Sequence, residues 1–75
     1  MLIMEFVKIN NIDELVEVIA TLDCVEFIPA KIGNHTMDLY YDPTLDCYGM
    51  FDKCDLTFET ADDMEQYITF EYGLH

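Results

Sequence analysis

The sequence predicts an α+β fold: a small antiparallel sheet with helices on one face, in the element order β-α-β-β-α-β-α. Three observations carry it. Ile12, Leu15, Val16, Ile19 and Leu22 recur at three- and four-residue spacing, the signature of an amphipathic helix. His35 to Tyr41 alternates like a half-buried strand, and Asp42-Pro43 and Thr60 stand where helix starts are expected. The chain has 75 residues, enough for one domain spanning 1–75 with a thin core, since such a domain buries only about 60% of its unfolded surface. A hydrophobic content of 52% supports a packed fold without disulfide staples.

The elements follow in order. Leu2 to Ile9 is rich in strand formers and apolar on both faces for most of its length, so it is expected in the centre of the sheet. Asn11 to Leu22 is the first helix, with Asn11 as N-cap, Glu14 as its capping-box partner and Asp13, Glu14 and Glu17 on the outer side. Val25 to Ile32 reads as a second strand, in which Pro29 argues for an edge or a bulge. Gly33-Asn34 is a hairpin turn into His35–Tyr41, where Met37, Leu39 and Tyr41 face one way and Thr36, Asp38 and Tyr40 the other. Asp42 as N-cap and Pro43 at the first helical position predict a short second helix to about Tyr48, ending near Gly49, with Met50 and Phe51 packed under it. Asp55 to Glu59 is a fourth strand with Leu56 and Phe58 inward. Thr60 caps a last helix from Ala61 to about Phe70, burying Ala61, Met64, Tyr67 and Ile68, and residues 71–75 are expected to fray.

Charge dominates the composition: 16 acidic residues oppose 3 lysines, with no arginine, for a net charge of -13. Such a surface repels nucleic-acid phosphates and anionic lipid and attracts basic proteins. The acids are spread along the chain, so they decorate the fold rather than a tail. Cys24, Cys47 and Cys54 are an odd number, and no charged segment leading into a long apolar run opens the chain. A reducing, cytoplasmic setting with free thiols is expected.

Candidate chemistry is sparse. His35 and the cysteines lack the paired spacing of a zinc site. Asp42, Asp46, Asp52 and Asp55 crowd one stretch without the ligand spacing and glycine of a calcium loop. Asp13/Glu14 and Asp62/Asp63 lie on exposed helix starts, and no basic group stands near Cys47 to favour its thiolate. No enzyme, metal or cofactor is expected. The tyrosines are more informative: Tyr40 is expected to be exposed beside Asp38 and Asp42, and exposed tyrosine ringed by carboxylates suits an Arg-rich surface.

Lys8-Ile9-Asn10-Asn11-Ile12-Asp13-Glu14-Leu15, Thr36-Met37-Asp38 and Gly49-Met50-Phe51, together with the element order, resemble the histidine-containing phosphocarrier protein (HPr) family. The resemblance implies that family's first strand, loop and first helix in the first segment, the end of its third strand in the second, and the glycine-hydrophobic pair of its second helix in the third. It also implies loss of phosphotransfer. Asn10, Asn11 and Ile12 occupy the region of the phosphoryl-accepting histidine, and Asp42 stands at the cap that the regulatory serine takes.

The expected function is therefore a non-enzymatic acidic module that occupies a basic, nucleic-acid-binding surface of a partner protein. Duplex DNA presents one charge per about 1.7 Å, and dense carboxylates compete for the same groove. The strategy is similar in kind to a phage-encoded anti-CRISPR or anti-restriction inhibitor. Asp13, Glu14 and Glu17, with Asp38, Tyr40, Asp42 and Asp46, are the expected partner-binding residues; direct contact with nucleic acid or membrane is not expected. The alternative is a degenerate HPr-like protein with a regulatory or small-ligand role.

Overall fold

The computed structural model describes residues 5–75, the side chain of Cys24 excepted. The order is β1 (Val7–Lys8), α1 (Ile12–Ala20), a 3-10 turn (Leu22–Cys24), β2 (Phe27–Ile32), β3 (His35–Asp42), β4 (Cys47–Phe51), β5 (Asp55–Phe58) and α2 (Ala61–Tyr72). The fold is α+β, but its sheet is mixed: β1 runs parallel to β2, and β2 to β5 form an antiparallel meander in sequence order.

Both helix starts obey local chemistry. The Asn11 side chain accepts from the Glu14 amide at 2.9 Å while Glu14 accepts from the Asn10 amide at 2.8 Å, a capping-box arrangement displaced by one residue because the second donor precedes the cap. Thr60 Oγ1 accepts from the Asp63 amide at 3.1 Å. Register then sorts the sheet's side chains. Ile28 and Leu39 pair across β2–β3, Leu39 and Met50 across β3–β4, and Met50 and Leu56 across β4–β5, so these lie on one face. That face packs with Leu15, Ile19, Met64 and Ile68 of the two helices to make the core.

Several expectations need correction. The strand at the start is not central: β1 lies at an edge of the described sheet and both its residues are exposed, Lys8 beside Lys31 on one face and Val7 on the other although it pairs with buried Ala30. Leu2 to Met4 of the expected strand fall outside the described residues. Pro29 instead sits in an inner strand. Lys31 accepts from the Ile9 amide, so by strand alternation Pro29's missing donor faces the β1 side, below the last described pair at Ala30.

The second correction is the largest. No helix follows Asp42; β4 stands there instead, and the order becomes β-α-β-β-β-β-α. The HPr likeness rests on an order that differs from this by that element. Asp42 Oδ1 does accept from the Thr44 and Leu45 amides at 2.9 and 3.3 Å, the bonding of an N-cap. But Asp46 then takes φ 51°, a left-handed conformation that Asp tolerates, and the chain reverses to pair Cys47 with Asp42. Met50 gains burial by this and Phe51 loses it, turning to the opposite face.

Third, the first helix ends at Ala20, which leaves Leu22 in the 3-10 turn, and its buried stripe is narrower than expected. Leu15, Ile19 and Leu22 are buried, while Ile12 and Val16 are exposed. Fourth, the C-terminus docks rather than frays. α2 continues to Tyr72, and Gly73 at φ 65° closes it in a left-handed cap, with the Gly73 and Leu74 amides both donating to Thr69 O. Leu74 joins the core, and the His75 carbonyl accepts from the Ile12 amide at 3.1 Å.

Candidate protein-binding surface

Among the described residues, the two helices cover one face of the sheet and leave the other bare. Register places the bare face in rows. Phe27, Tyr40, Gly49 and Thr57 are cross-strand neighbours in one row; Pro29, Asp38, Phe51 and Asp55 form the next. Lys8, Lys31 and Thr36 mark the corner towards β1, and Asp42 pairs with Cys47 at the other end. Phe27 and Phe51 are 54% and 52% exposed although both lie within strands. Side chains directly opposite on a face sit about 4.5–5.5 Å apart, so these aromatics adjoin Tyr40 and the carboxylates of Asp38 and Asp55. A shallow cavity of about 240 Å³ opens between Thr36, Met37, Asp38, Phe51 and Asp52.

Tyr40 is not the freely exposed ring the sequence predicts. It is half-buried: its ring rests on Gly49, where only a glycine leaves room, and its hydroxyl donates to Asp55. That bond, then burial, pushes the Tyr40 phenol up to about 12.

The same device recurs away from this face. Tyr41 donates to Asp46 at 2.6 Å, and this bond first, then burial, raises its phenol to about 12. Tyr48 donates to Asp23 at 3.2 Å, linking β4 to the 3-10 turn. Tyr72 donates to Asp52 at 3.2 Å, linking the end of α2 to the β4–β5 turn; burial first, then the Asp52 charge, raises it to about 12. The Tyr41 and Tyr48 rings also pack with centroids 5.0 Å apart. In a chain with 3 lysines, phenols do the work of cations, supplying donors to carboxylates without adding charge.

The seven residues expected to bind a partner divide between two sides of the molecule. Asp13, Glu14 and Glu17 lie on α1, in the helical layer. Asp38, Tyr40 and Asp42 lie on the bare sheet face, and Asp46 lies in the β3–β4 turn, bonded to Tyr41 of the covered face. Glu14, Asp42 and Asp46 already hold backbone or tyrosine donors in place. The missed residues are Phe27, Gly49, Phe51 and Asp55. The alternation Phe27-Ile28-Pro29-Ala30-Lys31-Ile32 carried the signal for Phe27, while Phe51 was masked by the expected helix.

The other clusters disperse. Asp42 and Asp46 lie at one end of β4, Asp52 and Asp55 at the other. Among the described residues, no three His, Cys, Asp or Glu side chains converge to hold a metal ion. Cys47 and Cys54 are free thiols, and His35 packs edge-on against Tyr72, 5.1 Å between centroids. Among the described residues no helix is long and apolar enough to cross a membrane. No protein-family model, curated protein or solved structure matches this chain.

Proposed function

We propose that this protein is a non-enzymatic acidic binding module of the cytoplasm. It occupies a basic, nucleic-acid-binding surface on a partner protein, in the manner of a phage-encoded inhibitor such as an anti-CRISPR or anti-restriction protein. The observation that carries the reading is the bare sheet face, where Phe27 and Phe51 stand exposed among Asp38, Asp42 and Asp55. Arginine is the natural counterpart: its guanidinium stacks on aromatic rings and its N–H fork pairs with carboxylates. Tyr40, already tied to Asp55, adds a pre-ordered ring between the two phenylalanines, so little side-chain freedom is lost on binding. The Lys8–Lys31 corner gives the face a polarity, orienting a basic segment towards β4 and β5.

The test is capture of a basic protein from host lysate by the wild-type chain and by a variant carrying Phe27→Ser, Asp38→Lys and Phe51→Ser. The reading expects a Lys- and Arg-rich partner held at low salt, weakened at about 0.5 M salt where the Debye length falls to a few ångströms, and lost in the variant. Equal capture by the variant refutes this surface.

A further inference from the structure

The apolar stripe of α1 is only partly covered. Leu15 and Ile19 are buried, but Ile12 and Val16, one turn apart, remain 37% and 40% exposed. Beside Ile12, α2 presents Phe70 at 87% exposure. Ile12, Glu65, Gln66, Thr69 and Phe70 together line a groove of about 370 Å³ between the helices. Among the described residues the buried core includes none of Ile12, Val16 and Phe70, so its packing gives no reason for an aromatic ring to stand there in water.

The rim decides what covers it. Asp13 and Glu17 follow Ile12 and Val16 along α1, and Glu65 and Glu71 flank Phe70 on α2. Neither helix contains a Lys, Arg or His. Burial first, then the Asp62 charge, raises the Glu65 carboxyl, and a cation beside it favours its charged form. A second copy of this chain brings like charge against this rim; a cationic segment brings the complement.

We propose that the α1–α2 groove docks an amphipathic cationic helix of a partner protein. Its apolar residues seat on Ile12, Val16 and Phe70, and its Lys or Arg side chains meet Asp13, Glu17 and Glu65. Helices lie in grooves this way through anchors at i, i+3, i+4 and i+7. The inference stands apart from the bare sheet face, which lies on the other side of the sheet.

The probe is a labelled helical peptide with Leu at those four positions and Lys elsewhere, followed by fluorescence anisotropy against the full chain. Saturable binding is expected. Phe70→Ser or Glu65→Lys should each weaken it about tenfold or more, and a scrambled peptide of the same composition should bind equally poorly. Phe51→Ser, on the other face, should leave it unchanged, which separates this site from the proposed function. Circular dichroism checks that each variant folds. No binding, or equal affinity for the scrambled peptide or the Phe70→Ser protein, overturns the proposal. So does a sedimenting dimer that Phe70→Ser dissociates, which assigns the groove to a second copy.

Discussion

The Tyr40 ring lies directly on Gly49, and from there its hydroxyl reaches Asp55 on the neighbouring strand. One side chain thus spans three strands of the bare face. Gly49→Ala puts a methyl group where the ring sits and must displace it, so a loss of about 1–3 kcal/mol is expected from urea unfolding. Tyr40→Phe keeps the ring and loses only the bond to an exposed carboxylate, for about 0.5–1 kcal/mol. Gly49→Ala should therefore be the worse of the two; the reverse order would mean that the ring does not rest on Gly49.

Neighbouring residues on β4 should respond in opposite ways. Met50 is buried against Leu39 and Leu56, so Met50→Ala should cost about 2–5 kcal/mol. Phe51→Ala should stay within about 0.5 kcal/mol, because that ring faces solvent. Equal costs would point to a helix over this stretch, with both side chains packed beneath it.

Tyrosine ionisation reads the phenol–carboxylate bonds directly. Tyr40, Tyr41 and Tyr72 are raised from 10.0 to about 12. The folded state therefore holds these protons more tightly than the unfolded chain. The resulting stabilisation is full below about pH 10 and is lost as pH rises through about 12. An ultraviolet titration should show these phenols still neutral at pH 10 in the folded protein. Asp46→Asn, which tolerates the left-handed backbone at that position, should return Tyr41 towards 10.

Salt should stabilise the fold. With 16 acids against 3 lysines, repulsion between carboxylates outweighs attraction, and screening relieves it. If about 1 kcal/mol is recovered at 0.5 M salt, Tm should rise about 4–8 °C, as expected for a domain of this size. A fall in Tm would mean that ion pairs, not repulsion, dominate.

The sequence made the caps and the core faces legible because both are local. Asn11 with Glu14, Thr60 before Asp63, and the alternation Met37-Leu39-Tyr41 each state their geometry within a few residues. Asp42-Pro43 misled because an Asp that accepts two following amides looks the same in a helix start and a tight turn. The difference lay further on, in Asp46 at positive φ and in a core that needed Met50 on the same face as Leu39. The tail misled for a related reason: Gly73 and Leu74 form a cap whose value comes from tertiary burial. The candidate site was half legible. Charge pointed to Asp38 and Asp42, and the β2 alternation held the signal for Phe27, but Phe51 became a surface residue only once β4 set the register.

The most direct test of the central claim is an amide-resolved NMR titration of the labelled full chain with an extended Arg-rich peptide. The account predicts shifts concentrated at Phe27, Asp38, Tyr40, Gly49, Phe51 and Thr57, reversed at about 0.5 M salt. Shifts spread evenly over every acidic surface, or confined to α1 and α2, would contradict it.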